Sequence, residues 1–289
     1  MNFITITNRI IVYCLLFVIF WIVFSLYAFY TNIRPEKFSS MITPKDFNKE
    51  YENITLYTQD GLKLSAWFLP NKKVSDKAII ILHGYPADKS DLLASYLFLH
   101  ERYSLLFVDF RYFGESEGKY TTIGIKEVED VLAAVKFLQE RQVKKIGIFG
   151  FSMGGATALM TLSKIDAINA VVSQSAYAGL DLMAENQYKY FYFLKRPLTL
   201  LTKMWGKLIF GIDISTMSPR VVIQNIQAPI LIIHSKQDDQ IPFSHALILR
   251  DALKNNLQAE FWFQDSLIHG ENSGAGYEKR IIDFFAKYL

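Results

Sequence analysis

The stretch Lys145–Leu159, KIGIFGFSMGGATAL, decides the fold. Its first half is a short continuous apolar run, the pattern of a strand buried on both faces. Its second half, from Met153 onward, reads as a helix. Between them Gly150-Phe151-Ser152-Met153-Gly154 fits G-x-S-x-G. A serine packs poorly at such a point, and Asn or Asp would make a better turn. The strand–turn–helix setting explains it. Small residues at 150 and 154 let the backbone close sharply and lift the Ser152 hydroxyl above the sheet, and Gly155 lets the helix start pack closely. The helix N-terminus adds free N–H groups and a partial positive charge beside that hydroxyl.

Outward from this point the pattern repeats. The segments NITLYT and LKLSAWFLP alternate around QDG, which predicts a β-hairpin. Continuous apolar runs follow at 78–84, 104–110, 168–176, 229–235 and 259–265. Helical stretches lie between most of them, the clearest over 122–141, with Ile125, Val128, Val131, Leu132 and Val135 on one side. Alternating strands and helices predict an α/β fold: a mostly parallel central sheet with helices on both faces. Residues 179–227 break the alternation and read as a helical insertion split near Pro197. There Lys189, Lys195, Arg196, Lys203 and Lys207 face only Asp181 and Glu185 between 181 and 210. Two readings stay open for it: packing over the sheet edge, or a short lid whose aromatic face lines an acyl pocket while its bases lie near lipid.

A serine hydroxyl attacks poorly at neutral pH unless a base takes its proton. Asp238 and Asp239 follow the 229–235 run, and His269 follows the 259–265 run. The order Ser, Asp, His is the one a nucleophile elbow of this kind expects. All three fall just past strand C-termini, where open parallel sheets bind ligands.

From about residue 51 to 289 the chain resembles the α/β-hydrolase superfamily, most closely membrane-anchored serine hydrolases of the esterase/acyl-thioesterase type. The segment ILHGYPADKSD is similar to the family's His-Gly oxyanion loop, and VDFRYFGESEGKYT to its D-x-R-G-x-G-x-S-x-G block. GFSMGG matches the nucleophile elbow, and IIHSKQDDQIPFSHA the H-G-x-x-D-x-x-V-P acid block. The resemblance implies Ser152 as nucleophile, Asp238 as acid, His269 as base, and the backbone N–H groups of Tyr85 and Met153 as oxyanion donors. Spacing to Ile241-Pro242 favours Asp238 over Asp239. Ser235 and Tyr112 stand where the family has glycine, and Tyr112 is expected to crowd its loop. His83, His100, His234 and His245 receive structural readings, as do Asp109 and Arg111.

The 289 residues are 51% hydrophobic and 15% aromatic, enough for one large core. A net charge of +3 leaves no nucleic-acid footprint. Cys14 is the only cysteine, so neither disulfides nor a cysteine metal site is expected. No metal or cofactor is expected: no ligand triplet has metal-binding spacing, and no strand leads into the glycines of HGENSGAGYEKR as a phosphate loop requires. Ile10–Tyr30 runs without a charge, and about 20 such residues cross a bilayer core. The expected organisation is a tail (1–9), a transmembrane anchor (10–30), a linker (31–50) and a hydrolase domain (51–289) holding the 179–227 insertion. Basic residues after the span argue for a cytoplasmic domain, while the short N-terminal tail argues the opposite. Oligomeric state has no signature in the sequence.

The expected activity is cleavage of carboxylic esters or thioesters of a small-molecule or lipid substrate, at a membrane. A prolyl-oligopeptidase-like serine peptidase is the second reading, although no propeller-sized segment precedes the domain. A non-catalytic membrane-tethered binding module is the third.

Overall fold

A computed structural model describes residues 3–74, 76–265, 268–269 and 276–289, so the glycines at 270 and 274 lie outside the described residues. The strands are β1 (Glu52–Tyr57), β2 (Lys63–Leu69), β3 (Lys77–Leu82), β4 (Ser104–Val108), β5 (Lys145–Phe151), β6 (Ala170–Gln174), β7 (Ile230–Ser235) and β8 (Ala259–Gln264). They form one sheet in the order β1-β2-β4-β3-β5-β6-β7-β8. β1, β2 and β4 pair antiparallel; from β4 through β8 every pairing is parallel. The helices are α1 (Phe3–Ile33), α2 (Leu93–Tyr96), α3 (Glu127–Glu140), α4 (Met153–Thr161), α5 (Leu180–Gln187), α6 (Lys195–Phe210), α7 (Pro219–Val222), α8 (Ser244–Ala252) and α9 (Tyr277–Tyr288).

The apolar runs are continuous because both faces of the sheet are covered. Ile80, Leu106 and Ile148 pack against Val131 and Leu138 of α3 and Leu159 of α4. Their neighbours Ile79, Phe107 and Phe149 face the other way, onto Tyr96 of α2 and Phe285 of α9. Each such side chain, fully removed from water, contributes about 1.5–3 kcal/mol before chain entropy is counted.

α3 starts at Glu127, five residues later than its periodicity predicts. The buried Glu127 carboxylate accepts hydrogen bonds from Thr121 Oγ1 (2.6 Å), Thr122 N (2.8 Å) and Gly124 N (2.9 Å). That network holds Ile123 and Gly124 in left-handed conformations (φ 52° and 106°), which a helix cannot include. In the 179–227 segment the break precedes Pro197, which sits in the first turn of α6, where its missing N–H costs nothing.

α1 runs past Tyr30 and is fastened to the domain at its end. Helix ends leave carbonyls without intrahelical partners. Here Asn32 O accepts from Tyr85 Oη (2.9 Å), Ile33 O from Thr121 N (3.0 Å), and Pro35 O from Tyr112 Oη (2.6 Å). Within α1, Thr7–Ile33 is long and apolar enough to cross a membrane, with a mean hydropathy of 2.7.

Candidate active site

β3 and β5 are neighbours, but β3 leads to β4 on one side and β5 to β6 on the other. Their C-terminal ends therefore border a crevice at a topological switch point, the usual ligand position in such sheets. Ser152 follows β5 and Tyr85 follows β3.

Ser152 has φ 51° and ψ −113°, a strained backbone for a residue with a side chain. Close approach of glycines makes the turn feasible. A Cβ on Gly150 would lie 2.3 Å from Gly154 O, and one on Gly154 would lie 2.3 Å from Leu82 O. Met153 opens α4, so its N–H belongs to the first turn and has no intrahelical acceptor.

The loop carrying Tyr85 is held by His83. His83 Nδ1 lies 2.7 Å from Gly84 O, and His83 Nε2 accepts the Phe110 N–H at 3.1 Å. Burial pushes the His83 pKa down, which keeps the ring neutral and able to accept that N–H. Tyr85 Oη is itself pushed up to about 12 by burial and by Tyr112.

On the far side of the crevice, Asp238 Oδ2 is 2.8 Å from His269 Nδ1. Asp238 Oδ1 accepts from the backbone N–H groups of Gln240 (3.0 Å) and Ile241 (2.7 Å). Burial works against the charged carboxylate, but the His269 and Ile241 hydrogen bonds outweigh it and hold the Asp238 pKa below its usual value. Asp239 bonds elsewhere, accepting the His269 backbone N–H at 3.3 Å. The His269 ring packs on Phe151, the residue before Ser152, with centroids 5.0 Å apart.

Asp109 and Arg111 tie down loops. Asp109 accepts from Lys89 Nζ (2.6 Å) and Glu115 N (3.0 Å), and Arg111 bridges Asp130 and Asp60. The Tyr112 ring packs edge-on against Phe113 of its own loop, with centroids 5.6 Å apart. Its backbone takes φ 74°, as the glycine it replaces would, and its hydroxyl reaches out to Pro35. His245 is buried and accepts the Ala178 N–H at 2.9 Å.

A cavity of about 400 Å³ opens over Ser152 and Met153. Its walls come from α5, α6 and, unexpectedly, the last turns of α1: Phe29, Asn32 and Ile33. Sequence reasoning missed these three because a helix that is apolar all round shows no packed face. Ser25 was the available signal: this polar residue in the span is fully buried, with its Oγ taking the Trp205 Nε1–H at 3.0 Å.

Residues 116–289 match the prolyl oligopeptidase family. The Bacillus subtilis (strain 168) protein YqkD is 34% identical over 172 residues, covering 57% of this chain and 56% of YqkD. The Saccharomyces cerevisiae membrane protein YNL320W is 26% identical over 167 residues, covering 57% of this chain and 58% of the relative. The chain thus matches little more than half the length of either. Among solved structures, the Pyrococcus furiosus esterase Pf2001 superposes with a TM-score of 0.73 at 30% identity, over 89% of this chain and 98% of that one.

Proposed function

The chain belongs to the prolyl oligopeptidase family of α/β-hydrolases, and from that premise we propose a serine hydrolase of carboxylic esters or thioesters, held at a membrane by α1. Ser152 Oγ attacks the acyl carbon while His269 Nε2 takes its proton. Asp238 keeps the other ring proton on Nδ1 and stabilises the imidazolium. The N–H groups of Met153 and Tyr85 receive the oxyanion, each worth roughly 3–4 kcal/mol in comparable sites. Collapse breaks the acyl C–O or C–S bond, and His269 returns the proton to the leaving alcohol or thiol. Water, deprotonated by His269, then releases the acid from the acyl-serine.

The observation that carries this reading is the 2.8 Å contact between Asp238 and His269 Nδ1, on the sheet edge where Ser152 occupies a strained elbow. The apolar cavity over Ser152 and the likeness to an esterase support an acyl substrate. Replacing Ser152→Ala should reduce hydrolysis of short p-nitrophenyl esters to background; turnover at the wild-type rate would overturn the assignment. The family's name keeps a peptidase as the alternative, and a panel of esters against aminoacyl amides separates the two activities.

A further inference from the structure

Every side chain of α1 from Ile10 to Phe20 is exposed. From Trp21 the helix changes: Trp21, Phe24, Ser25, Ala28, Phe29, Asn32 and Ile33 turn one face inward at helical spacing. Phe191 packs on Trp21 and Phe24, with ring centroids at 5.8 and 6.0 Å. Trp205 bonds to Ser25, and Phe210 packs on Phe29 at 5.5 Å. The far end of α1 is fastened by Tyr85, Thr121 and Tyr112, so the domain sits in a set position along the helix.

That position conflicts with a domain standing clear of the bilayer. At 1.5 Å per residue, Ile10–Phe20 supplies roughly 17 Å, against a hydrocarbon core of about 30 Å. Drawing in the rest of α1 back to Phe3 would leave only about 3 Å uncovered, but it would place the Arg9 charge inside the hydrocarbon, which is costly. With Arg9 held at the interface, the roughly 13 Å beyond Phe20 comes from Trp21–Phe29, which already carries α6 and the turn before it. An interfacial helix buries its apolar face by about 5–10 Å, a depth of the same order.

The outer surface of this segment suits such a position. Tyr192 and Phe193 are 86% and 78% exposed, and Leu200, Met204 and Leu208 form an exposed i, i+4, i+8 stripe along α6. Arg196 and Lys207, also exposed, flank the stripe as bases flank the apolar face of a helix on anionic lipid. Water would leave this apolar stripe unpaired; a leaflet continuous with the exposed face of α1 covers it.

We infer that α6 and the turn before it lie in the leaflet beside α1, and that the cavity walled by Phe29, Ile33 and Phe210 takes its acyl chain from the bilayer. The substrate is then a lipid-borne ester or thioester. The chemistry of this statement rests on the hydrolase reading; the immersion of α6 does not.

The test uses the full chain in vesicles of phosphatidylcholine and phosphatidylglycerol. In a Cys14→Ser background, spin labels go on Leu208→Cys, on Phe17→Cys within α1, and on Leu257→Cys, far from both. The Leu208 label should favour oxygen over a water-soluble nickel chelate clearly more than the Leu257 label does, and less than the mid-span Phe17 label. A Leu208 label that behaves like the Leu257 label overturns the immersion, and a Phe17 label in water overturns the anchor and the inference together. A Leu200→Asp/Leu208→Asp variant should hydrolyse vesicle-borne diacylglycerol about tenfold more slowly while p-nitrophenyl butyrate turnover in detergent stays at the wild-type level. Equal effects on both esters overturn the bilayer loading. A wild-type protein inactive on both overturns the hydrolase reading, and the labels still decide where α6 lies.

Discussion

Gly154→Ala tests the link between the elbow and the oxyanion loop. An added Cβ would stand 2.3 Å from Leu82 O and 2.7 Å from His83 O. Both are backbone atoms at the end of β3, and neither can swing aside as a side-chain tip would. Restoring ordinary contact at 3.4 Å requires α4 and the β3 end to part by about 1 Å, a misplacement that costs on the order of 10²-fold in rate when it falls at reacting groups. Tyr85 lies two residues beyond His83, so its N–H moves relative to Ser152. The expected result is kcat on p-nitrophenyl butyrate lower by about 100-fold, with KM little changed because α1, α5 and α6 still wall the cavity. Overpacking should also cost about 1–3 kcal/mol in a denaturation curve. Gly61→Ala is the control. Nothing lies within 4 Å of that position, but φ is +88°, so it should lose about 1–2 kcal/mol of stability and keep its turnover. A Gly154→Ala enzyme with kcat within a factor of two of wild type would refute the reasoning.

Other outcomes follow from single contacts. Asp238→Asn should lower kcat by about 10⁴-fold by favouring the wrong His269 tautomer, whereas Asp239→Asn, whose hydrogen bond among the described residues is to the His269 backbone N–H, should stay within a few-fold of wild type on the same ester assay. Arg111→Met removes one partner of a pair whose side chains are 4% and 0% exposed; the uncompensated Asp130 should cost about 3–5 kcal/mol of stability in a denaturant titration. Burial, then His234 and Arg220, hold the His245 pKa down to about 4 from 6.5. The unfolded chain therefore gains this proton first as pH falls. Stability is undiminished by this group above pH 6.5 and drops by about 3 kcal/mol on reaching pH 4. His245→Gln should flatten that part of the stability–pH profile, and an unchanged slope would contradict the assignment.

The elbow was readable because its requirements are local. Gly150, Gly154 and Gly155 are called for by backbone atoms within a few residues or on the next strand, and a strand entering a helix shows in the apolar pattern alone. The strand runs were likewise legible, since burial on both faces leaves no polar alternation to blur them. The later start of α3 was not legible: the Glu127 hydrogen bonds compete with helix over residues that look helical by periodicity. Nor was the hydrogen bond from the Tyr112 hydroxyl to Pro35 O, 77 residues distant.

By itself, the amino-acid sequence determined an α/β sheet with a serine on a sharp turn after β5, and an uncharged N-terminal run, Ile10–Tyr30, long enough to cross a bilayer. Each of these is a property of contiguous residues. Spacing already favoured Asp238, and the folded chain brings its carboxylate to the His269 ring; tertiary structure alone decided that the end of α1 walls the cavity over Ser152. A helix apolar on every side carries no mark of which face will be packed. That is settled only when Trp205, Phe210 and Tyr85, contributed by distant parts of the chain, close against it.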